Sequence, residues 1–390
     1  MPVRHSHLAW TRREWLAAAA VSSLAKTARA APAAPVAMAR CPDYASGVTD
    51  AVRKMFDQLG GIGRLVAGKT VAVKINMTGS LRDRSGHRPA WLTRWSHPMV
   101  IGAAVRLIGE AGARRVRILE GSSEDDHPLE ENFLIGGWNP AALLNAAPSV
   151  EMENTGFMGS GKDYARLDVP EGGLIYPAFD VNHSYAECDV LVSIAKLKEH
   201  ERTGLSLSLK NMVGIAPGTI YGDSAGYDAP AARPFGERAM FHIGNRQPPE
   251  GTPPEKDPKS PREFGYRIPR ITVDLARARP ISLALIDGIE TQTAGAGAAL
   301  DEGTKRQMRF VKPGILIASL NPVCADAVAT SVMGFDPAAP RGKAPFETCD
   351  STLELAEQAG IGTRNLKQIE VRGLAIEKSR ISFLEQRGAA

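Results

Sequence analysis

The chain has little cysteine. Its four, Cys41, Cys188, Cys324 and Cys349, are widely spaced and form no Cys-x-x-Cys pair, a pattern that argues against a cysteine-ligated iron–sulfur cluster or a structural zinc site. Cys188 and Cys324 sit in apolar segments and read as buried thiols. His-x-x-x-His pairs are also missing, so any metal would have to be held by distant segments. Beyond residue 30 no apolar run approaches the ~20 residues a membrane-spanning helix needs. An excess of charge is missing too. Residues 1–30 hold five Lys/Arg (Arg4, Arg12, Arg13, Lys26, Arg29) and one acid (Glu14), leaving 42 of the 47 basic and 42 of the 43 acidic residues in the remainder. A formally neutral body gives no reason to expect nucleic acid or an anionic membrane surface as partner. No internal repeat is visible.

The first thirty residues read as an address. Arg12 and Arg13 form a twin-arginine pair before the apolar stretch 15–24 and the small-residue site Ala28-Arg29-Ala30, with Lys26 between run and site. This resembles the signals of the bacterial Tat pathway, which exports folded proteins, often with a cofactor already inserted. The resemblance implies the Tat machinery as a partner and a periplasmic or secreted mature protein.

Residues 31–68 read as an Ala/Pro-rich linker (31–47) and a helix near 48–59. Apolar, β-branched runs at 69–75, 116–119, 190–195, 281–286 and 315–320 read as buried strands. A helix over 97–111 starts at Pro98 and stops before Gly112; another begins at Asn321-Pro322. Strands alternating with helices predict an α/β fold, a mostly parallel sheet with helices on both faces, as one body or two closely joined lobes. The parts are 69–216, a Pro-rich surface excursion or lid at 217–270, and 271–390.

Each predicted strand ends in polar or glycine-rich sequence, and in a parallel sheet the carboxyl ends share one edge where ligands bind. Lys74 and Asn76 follow the first strand, Glu120 and Gly121 the second, Lys196, Lys198 and His200 the third. Asp287, Gly288 and Glu290 follow the fourth, Asn321 and Asp326 the fifth. Singly, each also has an ordinary reading: Asn321 as a helix cap, Asp287-Gly288 as a turn, His97 as a helix-entry residue. Leu205, Leu207 and Leu209 alternate with Ser206 and Ser208 ahead of Lys210-Asn211. A lysine flanked by Leu209 and Met212 would lose hydration, giving either a neutral nucleophilic amine or a cation that holds a carboxylate or phosphate. Gly214 and Gly218 allow close backbone approach. The loop 76–96 places Arg82, Arg84, Arg88 and Arg94 beside Trp91 and Trp95, a set suited to a flat anion or to a solvated charge run over packed aromatics.

VAVKINM at 71–77, HPMVIGAAVRLIGEAGARRVRILEG at 97–121, KLKEHERTGLSLSLKNMVGIAPG at 196–218, IDGIE ending at Glu290 and NPVCADAVATSVMGFDP at 321–337 together resemble the family called domain of unknown function 362. Many of its members carry an added ferredoxin-like cysteine cluster, which this chain lacks; the family name assigns no reaction. A fainter similarity links His200, Lys210 and the turn 214–218 to the His and Lys segment in the N-terminal half of nickel-pincer lactate racemases, without their glycine-rich approach to the lysine. That likeness implies a lysine-tethered pincer on Lys210 and histidines that bind nickel or move the substrate proton.

The expectation is therefore an exported α/β protein holding a small anionic ligand at the strand ends. Lys210, His200 and Glu120 are the candidate catalytic groups. Lys74, Asn76, Lys198, Asn211 and Gly214 are the candidate ligand or cofactor contacts, and His200, His97, Asp287 and Glu290 the candidate metal ligands. The cofactor stays unknown, with a metal ion left open. Three classes stand side by side: a cofactor- or metal-dependent enzyme, a non-catalytic binding or assembly protein, and a racemase- or epimerase-like enzyme.

Overall fold

The computed structural model describes residues 31–79, 84–85, 87–121, 126–200, 202–293 and 308–386. The export signal expected over 1–30, and Arg82 of the Arg/Trp loop, lie outside the described residues. The core is an eight-stranded sheet built from β1 (Val36–Arg40), β2 (Thr70–Lys74), β3 (Arg115–Glu120), β4 (Val150–Asn154), β5 (Val190–Lys196), β6 (Leu283–Gly288), β7 (Ile315–Ser319) and β8 (Val371–Gly373), in the order β8-β1-β7-β6-β5-β2-β3-β4. Strands β6, β5, β2, β3 and β4 run parallel, whereas β7 is antiparallel to both its neighbours. The expected parts 69–216 and 271–390 contribute the adjacent strands β5 and β6, with Val192 opposite Leu283 and Lys196 opposite Asp287.

Period-two alternation divides the strand residues between two cores. Val71, Val73, Val116, Ile118, Val190, Val192, Ile194, Leu283 and Leu285 pack on one face with α1 (Val48–Gln58) and α2 (Pro98–Glu110). Ala72, Leu119, Leu191, Ala284 and Ile286 pack on the other with α3 (Phe264–Ala278) and α4 (Pro322–Val332). Because both faces are covered, the strands read as near-continuous apolar runs, which is why the sequence revealed them. Each fully buried Val, Leu or Ile contributes about 1.5–3 kcal/mol of transfer free energy. Helix α2 starts as expected: Pro98 stands at its first turn and the His97 side chain accepts from the Met99 amide.

Three expectations are corrected. Residues 31–47 are not all linker, because Val36–Arg40 forms an inner strand of the sheet; the six residues between Pro35 and Pro42 carry too little pattern to announce a strand whose partners lie hundreds of residues away. The excursion 217–270 is not wholly a surface feature either. Ile220, Tyr221, Met240 and Phe241 are fully buried, α3 already starts at Phe264, and Arg267 is buried against Glu255 at 2.8 Å. Finally, β7 runs against β6, so Asn321 lies at the opposite edge from the ends of β2, β3 and β5. Asn321 caps α4 by accepting from the Val323 and Cys324 amides. Asp326 reaches back through α4 to accept from the Ser208 and Leu209 amides, each at 2.9 Å.

Candidate functional site

Beyond the carboxyl ends of β2 and β3 lies a cavity of about 70 Å³, room for a few waters or one small anion. Lys74, Asn76, Glu120, Gly121, His200, Lys210, Asn211, Gly214 and Arg238 line it, with Thr78, Ser206 and Val213. Three segments build it: the strand ends, the hairpin that pairs Lys198–His200 with Gly204–Ser206, and the 3-10 turn Lys210–Ile215.

The Lys74 ammonium is 2.7 Å from Glu120 Oε1. It also donates to the Ile75 carbonyl at 2.6 Å and to Asn211 Oδ1 at 3.1 Å. Glu120 Oε2 accepts from the Met77 amide at 2.7 Å. Asn211 returns its amide to the Lys74 carbonyl and the Ser193 hydroxyl, so the turn carrying Lys210 is pinned to β2 and β5. Glycine makes the approach possible. A Cβ on Gly214 would stand 2.7 Å from Lys74 Nζ and 2.8 Å from Glu120 Oε1, and one on Gly121 would stand 2.6 Å from the Gly214 carbonyl oxygen.

Positive charge exceeds negative around this cavity. Glu120 is the one acid among its described lining residues, against Lys74, Lys210 and Arg238. Lys198 stands behind it, opposite Ser206 in the hairpin, only 2% exposed and with no hydrogen-bond or ion-pair partner among the described residues. Burial, then Arg94, Lys210 and Lys196, bring its pKa down to about 7, against the pull of Glu120. Lys210 is partly buried and likewise without a partner among the described residues. Burial, then Arg238 and Lys74, bring it down to about 8.

His200 is driven well below the usual histidine range by burial and then by Lys210, Lys198 and His242. Its Nδ1 accepts from the Arg202 amide at 3.2 Å, so the neutral ring carries its proton on Nε2 and offers a donor. Arg238 is buried and left-handed, at φ 64°. Its Nε and one terminal nitrogen donate to the Ala216 carbonyl, and that terminal nitrogen also to the Gly121 carbonyl.

The remaining candidates sit elsewhere. Asp287 lies with Lys196 at 3.0 Å, both fully buried, and accepts from Tyr44 Oη at 2.9 Å and from the His97 amide at 3.1 Å. The His97 ring stacks on Tyr44 with centroids 3.5 Å apart, and burial lowers its pKa to about 3. Glu290 pairs with Arg88 and Lys312. The four candidate metal ligands are thus divided, with His200 among cations and the other three around or beside the Lys196 pair. Among the described residues no three His, Cys, Asp or Glu side chains converge. A metal cation beside His200 would face Lys74, Lys210 and Arg238, so these residues do not fit a nickel centre.

In the Arg/Trp loop, Trp91 and Trp95 are buried core, with indoles donating to the Gly136 and Thr78 carbonyls, so these two rings offer no open face to a ligand. Sequence reasoning missed Arg238, which comes from the Pro-rich excursion; an isolated arginine there carries no local signal.

A thylakoid-associated protein of Synechocystis sp. (strain ATCC 27184 / PCC 6803 / Kazusa) is 23% identical over 307 residues, 78% of this chain and 75% of that protein. Among solved structures, a Thermotoga maritima protein from a structural genomics consortium is similar over 44% of this chain and 38% of its own, at 20% identity and a TM-score of 0.28. The lactate racemase apoprotein from Thermoanaerobacterium thermosaccharolyticum is similar over 71% of this chain and 54% of its own, at 11% identity and a TM-score of 0.32. This chain spans less than two thirds of either solved chain, and at those TM-scores neither likeness bears on chemistry. The family model described as "Domain of unknown function (DUF362)" matches residues 71–331, more than half of the sequence, and the protein belongs to that family.

Proposed function

We propose that the protein binds a small carboxylate or phosphate anion in the cavity between Lys74, Lys210 and Arg238, and that it does so after export through a twin-arginine signal at residues 1–30. The observation that carries the reading is Lys198, a residue only 2% exposed with no carboxylate against it among the described residues, placed behind a cavity already rich in cations. Burying an unpaired charge is strongly unfavourable. An anion in the cavity supplies the missing counter-charge, with Lys210, the His200 Nε2–H and the Asn76 amide as donors.

The test is thermal unfolding of the mature protein against phosphate, sulfate and a series of small carboxylates. A ligand that binds only the native state stabilises it in proportion to the logarithm of its concentration above Kd, so at least one anion should raise Tm saturably by several degrees. If none shifts Tm beyond what sodium chloride of equal ionic strength does, the reading fails.

A further inference from the structure

Three lysines meet at this site in different circumstances. Lys74 is held in an ion pair with Glu120 at 2.7 Å, with two further hydrogen bonds, which commits its ammonium and blocks its lone pair. Lys198 is 2% exposed and does not line the cavity, so a ligand there would sense its charge rather than react with its amine. Lys210 lines the cavity, is partly open to it and has no partner among the described residues. Its backbone is held rigidly, since Asp326 fixes the Ser208 and Leu209 amides and Asn211 ties the turn to β2 and β5.

Resting on the anion-binding reading above, we propose that the ligand is a small 2-oxo acid and that Lys210 forms an imine with its carbonyl carbon. The neighbouring groups divide the work. The second terminal nitrogen of Arg238, without a partner among the described residues, would take the carboxylate, and the His200 Nε2–H stands ready for the carbonyl oxygen. In the reaction the neutral Lys210 amine adds to the carbonyl carbon, forming the C–N bond, while the oxygen takes a proton and becomes the hydroxyl of a carbinolamine. A second proton transfer lets that oxygen leave as water, giving the C=N bond. Amine plus carbonyl become imine plus water, with no oxidant or reductant. Packing cations round an amine is an established way to keep part of it neutral near neutral pH, and the fall of Lys210 to about 8 agrees with that. A cavity of about 70 Å³ has room for a ligand of two or three carbons.

The experiment incubates the full mature protein with glyoxylate or pyruvate at pH 8, adds borohydride to reduce any imine to a stable secondary amine, and maps the adduct by peptide mass. A single reduced adduct on Lys210, slowed by excess inorganic phosphate and absent from folded Lys210→Arg protein, is the expected result. The wild-type map stands alone should that variant not fold. Adducts scattered over surface lysines, or none, overturn imine formation. If phosphate or a carboxylate still raises Tm in that case, the anion site survives and only the covalent step is lost; if neither labelling nor stabilisation occurs, both fall together.

Discussion

At Lys198 a single side chain would connect stability to the proposed anion binding. Its ammonium is buried among Arg94, Lys210 and Lys196, with Glu120 the acid that draws it toward charge. Replacing it with an apolar residue of similar length removes the cost of burying charge. Lys198→Met should therefore raise the Tm of the ligand-free protein while shrinking the shift produced by the best anion at least severalfold; a lowered Tm with an unchanged anion response would refute the assignment. The same group sets a pH dependence, together with Lys210, which faces Arg238, Lys74 and Arg202 as well as Glu237. Both ammonium groups titrate below their ordinary value of 10.5, at about 7 and about 8. Between pH 7 and that value the unfolded chain holds more protons than the native one, so native stability rises with pH across this window. Anion affinity should move the other way, falling above pH 7–8 as the lysines lose their charge. Titration calorimetry at pH 8 in two buffers of different ionisation enthalpy should show proton uptake on binding.

Two buried acids show how elements, rather than residues, are coupled. Asp326 on α4 receives two backbone amides from the approach to Lys210, and burial pushes its pKa up to about 7. It is an anchor for the segment rather than part of the ligand edge where its position after a strand first placed it. Asp287 at the end of β6 holds Lys196 of β5, Tyr44 before α1 and the start of α2. Removing it leaves Lys196 buried and uncompensated, a loss of about 3–5 kcal/mol. Asp287→Ala should accordingly lower Tm strongly, while whatever folds keeps its anion response, since neither Asp287 nor Lys196 lines the cavity. Denaturant unfolding with and without the best anion separates the two effects. An anion response abolished in folded Asp287→Ala protein would join the two clusters into one site.

For the whole molecule, the sheet joins residues separated by most of the chain, since β1 pairs with β7 and β8. Under the proposed twin-arginine export, these distant pairings would have to form before the chain crosses a membrane. Among the described residues no helix is long and apolar enough to span one. Arg12→Lys together with Arg13→Lys should leave the unprocessed chain in the cytoplasm of an expressing bacterium, read by fractionation and intact mass. Export at wild-type level by the double variant would remove the signal from the proposal.

Much of this was legible along the chain. The five strands with continuous apolar runs were visible because burial on both faces leaves no polar alternation to hide them. Lys74, Asn76, Glu120, His200, Lys210, Asn211 and Gly214, named from their places after strands or before a turn, all line one cavity. Tertiary structure alone decided the rest. Strand direction is set by which partner a strand finds, so the reversal of β7, and with it the place of Asn321, had no local sign. The short strands β1, β4 and β8 depend on neighbours distant in sequence for their hydrogen bonds. Charge pairing is likewise a matter of distance in space: Lys74 found Glu120 and Lys196 found Asp287, while Lys198 and Lys210 were left facing cations. Arg238 reached the cavity only because the proline-rich excursion folds back over it, bringing a charge that no pattern around residue 238 could announce.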